Sequence, residues 1–72
     1  MATPANDNFM RRRDVEQRTG LSCSSIYELM QHQDPVVRFP RPIKIGPSRV
    51  RWVESEVLAW MARQMAKRGA AA

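Results

Sequence analysis

One cysteine and one histidine in 72 residues remove several kinds of chemistry at once. Cys23 has no second thiol to pair with, so an intramolecular disulfide is excluded, and so small a chain without staples fits a reducing cytoplasm. Cys23 and His32 fall short of the four ligands of a structural zinc site. A nucleophilic Cys23 would need a base that is itself held by a third group, and only His32 is on offer. No metal, no cofactor, no catalytic residue and no enzyme activity are therefore expected. No apolar run approaches the ~20 residues that cross a bilayer. The opening MATPANDNF has no basic stretch leading into an apolar one, so it does not read as a secretory signal. The expectation is a soluble, cytoplasmic protein without a membrane partner. One further absence is local: between Pro35 and Trp52 there is no acidic residue.

What is there points to a polyanion. That acid-free stretch holds Arg38, Arg41, Lys44, Arg49 and Arg51, and its five positive charges equal the net charge of +5 of the whole chain. With a pI near 10.7, a negatively charged partner is the natural inference. The hydrophobic fraction of 43% is that of an ordinary folded domain, and the length allows a single small core with no large cleft. Residues 1–8 and 69–72, polar or small and without apolar period, read as disordered tails around one domain at residues 9–68.

Within that domain the elements follow as helix, helix, β-hairpin, helix. RRRDVEQRT carries Val15 as its inward residue and stops at Gly20, which accepts the positive φ that closes a helix. Ser22 then caps a second helix, giving helix-turn-helix spacing. At 100° per residue, SCSSIYELMQ puts Cys23, Ile26, Leu29 and Met30 on an apolar arc and Ser24, Tyr27, Glu28 and Gln31 opposite. That outer face is polar yet nearly uncharged, which suits a DNA groove better than open solvent. Prolines 35, 40 and 42 break helicity before the hairpin. Ile43 and Ile45 alternate with Lys44, Gly46-Pro47-Ser48 turns, and Val50 and Trp52 alternate with Arg49 and Arg51. Period two predicts that Ile43, Ile45, Val50 and Trp52 share the core face and that Lys44, Arg49 and Arg51 share the other. A last helix over residues 54–68 turns Val57, Trp60, Met61 and Met65 inward, with acids in its first turn and bases in its last. The fold class is α+β, a small winged helix-turn-helix.

Three stretches, FMRRRDVEQRTGLSCSSIYELM, RFPRPIKIG and RVRWVESEVLAWM, together resemble the AlpA-type phage and prophage regulators. These are relatives of excisionases within the winged-helix group that includes MerR-type DNA-binding domains. The resemblance implies a sequence-specific double-stranded DNA-binding protein, acting as a transcriptional regulator or excisionase-like factor, with its second helix in the major groove and its wing on backbone or minor groove. It implies a helix surface of Ser22, Ser24, Ser25, Tyr27, Glu28 and Gln31, and a wing and loop surface of Arg38, Arg41, Lys44, Ser48, Arg49 and Arg51. Where Cys23 and Glu28 stand, members of the family often carry basic residues, and between Met30 and Phe39 they often have a tighter turn. Both departures shift expected phosphate contact toward the wing. No heptads follow the last helix, so a coiled-coil dimer is not expected, while neighbouring copies on DNA or a recombinase stay open as partners. A bland reading stands beside this one, in which the charged ribbon only guards a sheet edge. An alternative of another class is a small basic adaptor, antitoxin-like or anti-repressor, that binds an acidic protein.

Overall fold

The computed structural model describes residues 8–71, with side-chain environments over residues 8–68. Six elements follow in order: β1 (Phe9–Met10), α1 (Arg12–Thr19), α2 (Cys23–Met30), β2 (Ile43–Ile45), β3 (Arg49–Val53) and α3 (Glu54–Ala71). This is the helix, helix, hairpin, helix order of a small winged helix-turn-helix. A short strand that the sequence did not announce is added in front. β1 pairs with β3, and β3 with β2, both antiparallel, giving the sheet order β1-β3-β2. Two residues are too few to display alternation, so β1 had no periodic signal to read.

The helix starts and stops come from local chemistry. The Arg11 amide donates to the Asp14 carboxylate at 3.1 Å, satisfying a free donor at the start of α1. Gly20 ends that helix at φ 75°, donating its amide to the Glu16 carbonyl at 2.7 Å. Ser22 caps α2 by accepting from the Ser25 amide at 3.2 Å. Only three residues separate the helices.

Met10, Val15, Ile26, Met30, Phe39, Trp52, Val57 and Trp60 form the core, with Leu21, Leu29, Val50 and Met61 packed around it. Phe39 meets Trp60 edge-on, with ring centroids 4.8 Å apart. Each indole is both wall and clamp: Trp52 Nε1 donates to the Pro40 carbonyl at 2.9 Å, and Trp60 Nε1 to the Val37 carbonyl at 2.8 Å. The proline-rich loop after α2 is thus pinned to the core through carbonyls that no strand claims. Asp34 organises its front half, its Oδ1 accepting from the Val36 amide at 2.9 Å and its carbonyl from the amides of Val37 and Arg38.

Four expectations need correcting. Ile43 and Ile45 do not join the core: they are 42% and 38% exposed. The reason is the turn. With three residues between β2 and β3, the partners are Ile43 with Arg51, Lys44 with Val50 and Ile45 with Arg49. Opposed residues share a face, so Lys44 lies with Val50 and Trp52, and the isoleucines lie with the arginines. Met65 is 57% exposed and does not join the core stripe it was expected to extend. The helix carrying it runs on to Ala71, past the expected end at Arg68 and into the stretch read as a tail. Finally, Asn8, placed in the N-terminal tail, accepts from the Glu54 amide at 2.8 Å and donates its side chain to the Glu54 carboxylate at 3.0 Å. Residues 1–7 of that tail and residue 72 of the C-terminal one lie outside the described residues.

Candidate nucleic-acid interface

Burial of Ile26 and Met30, with Leu29 half-buried, fixes the rotation of α2. Ser24, Tyr27, Glu28 and Gln31 are then all exposed on one arc, as helical spacing requires. Ser22 and Ser25 flank this arc and are bonded to each other, Oγ to Oγ at 3.0 Å, so their hydroxyls serve the cap first. Cys23 is half-buried on the apolar side. Tyr27 stands with its ring 6.3 Å from that of Trp52, edge-on. Through this contact the outer arc of α2 adjoins the face of β3 that carries Val50, and Lys44 projects from that same face.

The cations that the sequence grouped together occupy three places. Lys44 is exposed on the α2 side of the sheet, and Ser48 and Arg49 are exposed at the hairpin turn and its first following residue. Arg51 is half-buried on the far side, its Nη1 donating to the Val50 carbonyl at 2.8 Å. Arg38 and Arg41 lie elsewhere, lining a groove against α3 together with Glu56 and Arg63. Arg38 also braces the loop, donating from Nε to the His32 carbonyl at 2.8 Å and from Nη2 to the Gln33 carbonyl at 3.0 Å. Arg63 was not among the residues expected at the site. Its place beside Arg38 and Arg41 depends on how the loop folds back, for which the sequence carries no spacing signal.

Several acids are occupied away from this surface. The ion pairs among the described residues are Arg12 with Glu16 at 3.1 Å and Arg18 with Glu54 at 3.3 Å, both on the α1 side. Glu28 is therefore the one acid on the outer arc of α2, with no ion-pair partner among the described residues.

Residues 8–65 match the family described as the prophage CP4-57 regulatory protein (AlpA). The chain belongs to the AlpA family of prophage regulatory proteins. Among relatives of this AlpA-family chain, an uncharacterised protein of Enterobacteria phage P4, ORF88, is 40% identical over 62 residues, which make up 86% of this chain. The chain covers 66% of that relative's length, just under two thirds. No solved structure matches it. Among the described residues of this AlpA-family protein, no helix is long and apolar enough to cross a membrane.

Proposed function

We propose that the protein binds double-stranded DNA in a sequence-specific way as a phage-type regulator, in the cytoplasm, with α2 in the major groove and the hairpin turn on the adjoining backbone. The observation that supports this best is the junction at Tyr27 and Trp52, where an exposed, hydroxyl- and amide-rich helix arc abuts an acid-free hairpin. Ser24, Tyr27, Glu28 and Gln31 supply donors and acceptors for base edges. Lys44, Ser48 and Arg49 supply phosphate contacts that set register without reading sequence. Arg38 and Arg41 line a groove against α3 with Arg63 and contribute through the general field more than through the groove.

Promoter binding and the shaping of DNA for excision use this same surface, so both outputs fit. Mobility shift on a random duplex and on a duplex selected from a randomised pool, each across a salt series, tests the reading. Retention at low salt that falls steeply as salt rises, with the selected duplex held more tightly, is the expected result. Equal affinity for both duplexes would remove the role of α2 in base reading.

A further inference from the structure

The three-residue turn of the hairpin leaves a sheet face of which the DNA reading uses only Arg49, beside the turn. Phe9 opposes Val53, Ile43 opposes Arg51, and Ile45 opposes Arg49, so these six side chains share the side of the sheet away from the core. Phe9 is 58% exposed, and Ile43 and Ile45 are 42% and 38% exposed. A hairpin loop shorter or longer by one residue would have turned both isoleucines toward Trp52. The chain instead spends two β-branched residues and a phenylalanine on solvent, with two arginines and no acid on the hairpin strands, while Phe9 at the other edge shares a groove with Asp14, Arg18 and Glu54. Local rules broken without structural gain mark surfaces kept for another purpose.

We propose that this face docks an acidic, amphipathic protein segment, a helix with an apolar stripe flanked by carboxylates. Charge complementarity decides the occupant. Arg49 and Arg51 are two residues apart on one strand, about 7 Å, close to the roughly 5–6 Å between acids at i and i+3 or i+4 on a helix. A second copy of this chain is the wrong partner: it carries +5, and its own exposed apolar stripe at Leu58 and Met65 runs toward Lys67 and Arg68. Duplex DNA satisfies the arginines and leaves the isoleucines and Phe9 wet. The docking face does not require the DNA reading, since it lies on the other side of the sheet from Lys44 and α2. Both ligands fit at once except at Arg49, which stands next to the turn.

The test uses a short synthetic helix with leucines at i, i+3, i+4 and i+7 flanked by glutamates, and a scrambled peptide of the same composition. Fluorescence anisotropy follows peptide binding to the full chain, alone and with saturating random duplex. The same chain carrying Ile43→Ser and Ile45→Ser, its fold checked by circular dichroism, is titrated with both peptide and duplex. The expected result is binding of the patterned peptide over the scrambled one, retained on DNA, and weakened about tenfold or more in the double variant while duplex affinity is unchanged. Several results overturn the proposal: no peptide binding at low salt, equal binding of both peptides, or loss of duplex affinity in the double variant. A concentration-dependent dimer in sedimentation that the double variant abolishes also overturns it, in favour of a second copy. Failure of the duplex to bind, with peptide binding intact, sinks only the DNA reading.

Discussion

Glu28 is the residue whose charge runs against its surroundings. It shares the exposed arc of α2 with Ser24, Tyr27 and Gln31 and has no ion-pair partner among the described residues. On a groove-facing helix it either repels phosphate or accepts from a cytosine amino group. The net effect expected is repulsion, because no cation stands by to offset it on the helix. Glu28→Gln should then tighten binding to selected and random duplexes alike, measured at one fixed salt. A loss of roughly 1–3 kcal/mol confined to the selected duplex would assign Glu28 to base reading. Gly20 gives a second, purely structural prediction. Its φ of 75° is the left-handed region, and an added Cβ there would meet no heavy atom within 4 Å. Gly20→Ala should cost about 1–2 kcal/mol through backbone strain alone, lowering the melting temperature without changing DNA affinity at temperatures where the variant is folded. A melting temperature equal to the wild type's would place the turn in a different conformation.

At the scale of elements, local punctuation was legible and the relation between strands was not. Gly20, Ser22 and the apolar arc of α2 each carry their instruction in one or two residues, and the observed cap bonds match them. The hairpin was also legible as a hairpin. Its phase was misread from alternation, because period two orders side chains within a strand and is silent between strands. The count of turn residues sets that phase, and three residues place Lys44 opposite Val50. The apolar pattern and the turn disagree here, and the turn wins. The loop over residues 31–42 was unreadable for another reason: its order rests on bonds to distant indoles and to Arg38, which no spacing encodes. The register sets Lys44 apart from Arg49 and Arg51, and its place beside the turn sets Arg49 apart from Arg51. Lys44→Ala and Arg49→Ala should each weaken binding to any duplex and flatten the salt dependence by about 0.9 of a log-log unit per lost phosphate contact. Arg51→Ala, from the far face, should leave that slope unchanged. Equal flattening by Arg51→Ala in salt titrations would restore the single cationic face that alternation alone suggested.

For the molecule as a whole, stability hangs on few side chains. Trp60 closes the core against Phe39 and also holds the loop through Val37, so truncation removes packing and a buried bond together. Trp60→Ala should cost roughly 3–5 kcal/mol, comparable to the whole stability of a domain this small, and abolish a cooperative thermal melt. A variant that melts cooperatively and loses only DNA affinity would contradict the core assignment. The proposed function rests on the same economy, since it asks one short helix and one hairpin to present the whole DNA surface. The most direct measurement is the affinity for a random duplex as a function of salt, for the wild type and for the chain carrying Lys44→Ala and Arg49→Ala. The account predicts a steep linear fall of log K with log salt in the wild type and a slope shallower by about two units in the double variant. Absence of binding even at low salt, or the same slope in both proteins, would contradict it.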